Sequence, residues 1–111
     1  MPQTLRCARR EGGFGAAVVH LAGELDIANA PRLEQALNEA QVDARLVVLD
    51  LRELEFIDCA GMHVIVDADE HARRDGNRLI VMRGPAQVDK LFTLTGMSEV
   101  IEISDNGFAE A

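Results

Sequence analysis

Tryptophan and tyrosine are absent from this chain of 111 residues, and four phenylalanines are its only aromatic side chains. Stacking platforms for bases or sugars therefore lack their material. Cysteine occurs twice, at Cys7 and Cys59, which is too few for a disulfide framework or a zinc site. Basic residues are outnumbered 11 to 19 by acidic ones, leaving a net charge of −8. Nucleic acids and anionic membranes are met with clustered Lys and Arg, so neither is expected as a partner. No apolar run approaches the ~18–20 residues that span a bilayer, and the polar, basic start from Met1 to Arg10 lacks the apolar stretch of a signal peptide. The expected compartment is the cytoplasm. Phosphate-binding glycine loops are missing too: Gly12-Gly13-Phe14-Gly15 falls in a hairpin turn instead of between a strand and a helix. No cofactor and no small-molecule substrate is expected.

The residues that are present alternate between two periods. Leu5 to Arg9 and Ala16 to Leu21 read as two short strands joined by a turn at Gly12-Gly13, an antiparallel hairpin. Leu33, Ala36, Leu37 and Ala40 recur at helical spacing, with Pro31 in the first turn and Asn29 or Asp26 placed to cap. Leu46 to Leu49 is a continuous apolar run, the mark of a strand covered on both faces. Asp58 precedes a second helix with an apolar face of Val64, Ile65, Ala68 and Ala72, ended by Gly76. Leu79 to Met82 is another buried strand, followed by a third helix carrying Val88, Leu91 and Phe92 and a last strand from Val100 to Ile103. The tail from Ser104 contains Phe108 and reads as a short helix or a frayed end.

This order predicts an α/β fold, one domain over residues 1–111. It has a mixed, mostly parallel sheet of four to five strands and three to four helices. Loops leaving the carboxyl ends of parallel strands share one edge, where such folds place their sites. Gly23 to Asn29, Glu53 to Gly61 and Arg83 to Ala86 are expected together there. On that edge the most informative stretch is Phe56-Ile57-Asp58-Cys59-Ala60-Gly61. Asp58 can accept from the orphan amides of the following turn. Gly61 in a first helical turn lowers helix propensity, which points to a close approach by another group.

Several segments, in order, resemble the STAS domain of bacterial anti-sigma factor antagonists. They are Gly23-Glu24-Leu25-Asp26, Leu46 to Asp50, Phe56 to Gly61, Gly76 to Met82, and Pro85…Val88…Leu91-Phe92…Leu94-Thr95-Gly96-Met97. The resemblance runs from about Ala16 to Ile103. It implies a binding protein and not an enzyme. Its partner would be an anti-sigma factor, usually a serine kinase of the histidine-kinase-like ATPase fold, whose capture frees a sigma factor. It also implies a Ser phosphoacceptor in an Asp-Ser-Ser/Thr-Gly turn. Here the chain departs: Cys59 and Ala60 stand at the two hydroxyl positions, while Asp26 and Asp58 match the acidic positions. The expected partner-binding residues are Asp26, Asp58, Cys59, Ala60, Gly61 and Met62, with Leu25 and Ile27 as further apolar contacts.

Two other classes of function stay open at this point. STAS domains also serve as scaffold or accessory subunits of stress-signalling assemblies or lipid-transport ATPases, a role that needs no phosphoacceptor. Cys59 also raises a redox-sensing thiol: the helix dipole favours its thiolate, and the neighbouring Asp58 carboxylate opposes it. His63, four residues on, shares a helix face with Cys59, but no oxyanion arrangement or third orienting group accompanies them. His63, Asp67 and His71 form an i, i+4, i+8 ladder, for which a solvated helix face is a sufficient explanation, so no metal is expected. Arg73-Arg74 suits the negative end of the helix dipole. His20, out of phase with Val19 and Leu21, is expected to face away from their core.

Overall fold

Two apolar runs lie side by side in the sheet, Leu46 to Leu49 of β3 (Leu46–Ile57) and Leu79 to Met82 of β4 (Arg78–Met82), paired in parallel with Val47 opposite Leu79 and Leu49 opposite Val81. A computed structural model describes residues 4–105. It adds β1 (Leu5–Gly13), β2 (Ala16–Leu25) and β5 (Glu102–Ser104), with α1 (Ala30–Asp43), α2 (Cys59–Arg74) and α3 (Ala86–Leu94) as the crossovers. A short 3-10 turn, Met97–Glu99, precedes β5. The strand order is β1-β2-β3-β4-β5, antiparallel only at the β1–β2 hairpin. The fold is the expected α/β mixed sheet. Ser104, read as the start of the tail, is the last residue of β5, and Phe108 lies outside the described residues.

Successive parallel strands step in one direction across this sheet. Right-handed crossovers then place every helix on the same face. The core agrees: Leu33, Leu37 and Ala40 of α1, Met62, Ile65, Ala68 and Ala72 of α2, and Val88 and Phe92 of α3 pack with Ala17, Val19, Leu21, Val47, Leu49, Leu79 and Val81 in one cluster. The other face carries the alternate strand residues, including Val18, Val48, Ile80, His20 and Asp50. His20 faces away from the Val19–Leu21 core, as its phase requires.

β3 corrects the sequence reading, which ended the strand early and assigned Glu53 to Gly61 to a loop. The strand runs to Ile57, and its core positions fall at Leu51, Leu54 and Ile57, three residues apart. Its pairing with β2 shifts register twice, between His20 and Ala22 and between Gly23 and Glu24. Each extra residue on β3 breaks the period of two, so the alternation that marks a strand is lost from the sequence. Gly23 sits at the second shift with φ +100, and a Cβ there would lie 2.2 Å from the Thr4 carbonyl oxygen. Only glycine fits both demands. Smaller corrections are that β1 extends to Gly13 and that the last strand begins at Glu102, after the 3-10 turn.

Candidate functional site

The site is assembled around one carboxylate. Asp58 follows β3 in extended conformation and caps α2, with Oδ1 accepting from the Gly61 amide at 3.0 Å. Its Oδ2 accepts from the amide of Ile27, in the loop leaving β2, also at 3.0 Å. Its own amide donates to the Leu25 carbonyl at 3.1 Å. Two of these hydrogen bonds tie the β3–α2 turn to the end of β2 and the loop after it, the third caps α2, and each carboxylate oxygen accepts one backbone amide. A side chain that looks like a free acidic contact in the sequence is a strut between two loops.

Asp26 has a comparable role within its own loop. Its Oδ1 accepts from the amides of Ala28 (3.0 Å) and Asn29 (3.2 Å), while Asn29 Oδ1 accepts from the Asp26 amide at 2.9 Å. Asn29 Nδ2 also donates to the Glu24 carbonyl at 2.9 Å. The reciprocal pair works as a capping box does, each side chain satisfying the other residue's amide. The 26–29 loop is thereby fixed before α1 begins, and Ile27 stands out from it, 75% exposed.

Cys59 is exposed and free at the first position of α2, and Ala60 is half-buried beside it. Gly61 and Met62 point elsewhere. A Cβ on Gly61 would lie 2.6 Å from Leu25 Cγ, so the close approach signalled by this glycine is made by the chain's own Leu25. Met62 is 2% exposed and Leu25 wholly buried, both in the core cluster. Both side chains are buried, where exposed contacts were expected, and Gly61 admits Leu25. The exposed apolar groups of this edge are Ile27, Phe56 (46% exposed) and Leu94 (72%). Phe56 and Leu94 border a shallow groove with Ile57 and Leu91, rimmed by Glu55 and Lys90. Sequence reasoning missed this pair because the Phe56–Ile57 doublet gives no sign of which member faces out once β3 is bulged.

The remaining candidates disperse. Cys7 lies on β1 opposite Leu21, half-buried, and neither cysteine is in a disulfide. Burial pushes its thiol up, partly offset by the nearby Arg32 charge. His71 pairs with Asp75 at 3.3 Å, and no metal-holding cluster occurs among the described residues. Arg73 does more than meet the helix dipole: it lies 3.0 Å from Asp69 Oδ2 and donates to the Val100 carbonyl, pinning α2 to the segment before β5. No described helix is long and apolar enough to cross a membrane.

Comparison with known proteins places this architecture. The STAS domain family model matches residues 8–107. The anti-sigma-B factor antagonist of Listeria monocytogenes serovar 1/2a is 33% identical over 88 residues, covering 78% of this chain and 77% of that protein. In structure, the chain is similar to an anti-sigma factor antagonist from Mycobacterium paratuberculosis. The TM-score is 0.83 at 23% identity, over 92% of this chain and 86% of the other. It is also similar to the anti-sigma factor antagonist SpoIIAA in its unphosphorylated form, with a TM-score of 0.75 at 17% identity, over 89% and 88% of the two chains. Matched over nearly its whole length by the family model, this chain belongs to the STAS domain family.

Proposed function

We propose that this chain is an anti-sigma factor antagonist that docks on its anti-sigma factor through the edge built on Asp58, and so frees a sigma factor. The observation that carries the reading is the Asp58 strut. One carboxylate holds Cys59 and Ile27 on the same exposed edge, by way of the amides of Gly61 and Ile27. Exposed Ile27, Phe56 and Leu94 supply apolar anchors, and Asp26, Asp58 and Glu55 lie among them. Apolar anchors within a polar rim are the common anatomy of a protein interface. A net charge of −8 suits a basic surface on the partner. Relatives named anti-sigma-B factor antagonist support the same assignment.

The partner class is a serine kinase of the histidine-kinase-like ATPase fold, and the antagonist is not an enzyme. Position 59 removes the phosphorylation switch. The chain's only hydroxyl side chains are Thr4, Thr93, Thr95, Ser98 and Ser104, none within 26–29 or 58–62. A phosphate at this turn would add about −1.5 to −2 charges and repel the packed partner. Without an acceptor the complex persists when ATP is present.

The test is affinity capture of the tagged chain from lysate of its own cells, followed by addition of ATP to the recovered complex. The expected result is a kinase-like ATPase that stays bound, with no phosphate on the antagonist. Recovery of transporter ATPase subunits or a large stable assembly would instead make the chain an accessory scaffold.

A further inference from the structure

The helix-free face of the sheet carries a chain of hydrogen bonds that the docking edge does not use. Arg10 Nε on β1 donates to His20 Nε2 on β2 at 2.9 Å. His20 Nδ1 lies 2.8 Å from Asp50 Oδ2 on β3. Arg52 closes the chain, donating from Nε and its backbone amide to Oδ1 and from Nη2 to Oδ2, each at 3.0 Å. Asp50 is 5% exposed, while the His20 side chain is about one-third exposed and remains open to solvent protons.

The donors fix the protonation state. A guanidinium only donates, so His20 Nε2 must offer a lone pair. The single imidazole proton is then on Nδ1, where it meets the Asp50 carboxylate. A second proton on Nε2 would compete with Arg10 for the same lone pair and set two cations against each other. We propose that the Arg10–His20–Asp50–Arg52 chain is an acid-sensitive latch on the β1–β2 hairpin. Protonation of His20 releases Arg10 and loosens the hairpin tip, while the His20–Asp50 bond persists.

The charges facing His20 are Arg10 and, further along the same face of β1, Arg6, with Asp50 and Arg52 from β3. On β2 itself its same-face neighbours are Val18 and Ala22, both buried and apolar. The effect is local because β1 is tied elsewhere by contacts that do not involve His20. Glu24 donates its amide to the Thr4 carbonyl, Arg32 donates to the Leu5 carbonyl, and Arg9 pairs with Asp43. Near the tip, the ladder is interrupted by a register shift between Glu11 and Gly13, so the Arg10 tie carries more weight there.

Imidazole nitrogen spectra and backbone amide exchange, corrected for intrinsic rates, read this in a pH series run from about 8 to about 5. The expected result is an Nδ1-protonated His20 at the upper end. Amide exchange in residues 9–18 should then quicken about two- to tenfold as the ring titrates, the worth of one hydrogen bond. Arg10→Ala should show the faster exchange throughout and no step with pH. His20→Gln, which cannot titrate, should also lose the step. A proton on Nε2 at pH 8, unchanged tip protection while His20 titrates, or a step that survives in Arg10→Ala would each overturn the proposal.

Discussion

Asp58 and Ile27 separate two effects that a single alanine scan would blur. Asp58→Ala removes a helix cap and orphans the Ile27 amide. It should reduce stability by about 1–2 kcal/mol in thermal or urea unfolding and also weaken docking. Ile27→Ala removes an exposed side chain, so unfolding should be unchanged while partner affinity falls at least about fivefold in calorimetry, the behaviour of a central apolar anchor. If Ile27→Ala binds as the parent does, the edge has been drawn in the wrong place. Cys59 offers the complementary gain. With the cognate kinase and ATP, Cys59→Ser should acquire one phosphate, detected by intact mass, and then release its partner, while the parent acquires none. A Cys59→Ser variant that is bound but never phosphorylated would remove the phosphoacceptor equivalence. Asp26 and Asp58 could be picked from the sequence as the acidic residues of this edge. That Asp58 also holds the Ile27 amide could not, because that amide belongs to a loop brought beside it only by the fold.

Elements were legible where their apolar period was undisturbed. Of the α1 positions, Leu33, Leu37 and Ala40 are buried and Ala36 half-buried; of those in α2, Ile65, Ala68 and Ala72 are buried and Val64 half-buried. β3 shows the opposite case, since two register shifts turn its core spacing into threes and hide its second half. α3 depends on one large side chain. Phe92 is 1% exposed and is the only buried phenylalanine among the described residues, Phe14 and Phe56 being exposed. Phe92→Ala should therefore cost about 3–5 kcal/mol in urea unfolding. A loss under about 1 kcal/mol would mean that α3 packs more loosely than its burial implies.

Across the molecule, two buried carboxylates push stability in opposite directions with pH. Burial tends to raise Asp50, but hydrogen bonds from the Arg52 side chain and amide, the Arg52 charge and the His20 bond outweigh it, so its carboxyl lies below the ordinary range. Its contribution is complete above the unfolded value of about 3.9 and is lost as pH falls through the folded one. Asp69 is 3% exposed and burial raises it, with the Arg73 charge opposing only in part. Its contribution is complete below the unfolded value and is lost as pH rises through the folded one. Asp50→Asn should then cost about 1.5–3 kcal/mol at neutral pH and flatten the acid limb of the stability profile. Asp69→Asn should be neutral or stabilising at pH 7 and flatten the slope above pH 4. A clear loss in Asp69→Asn would mean that the Arg73 pair outweighs the burial of the charge.

The sequence by itself determined the order of elements, the mostly parallel sheet and the edge on which the strand-to-helix loops gather. These follow from periodicity, turn residues and the handedness of crossovers, all of which are local or topological. The tertiary structure decided which residues on that edge are buried, which are exposed and what each one bonds. It turned Met62 and Leu25 inward, explained Gly61 by the chain's own Leu25, and exposed Phe56 and Leu94 together. It also joined Arg10, His20, Asp50 and Arg52 across three strands. Burial and hydrogen-bond partnership depend on contacts between residues distant in the chain, and a linear pattern carries no record of them once bulges have shifted the register.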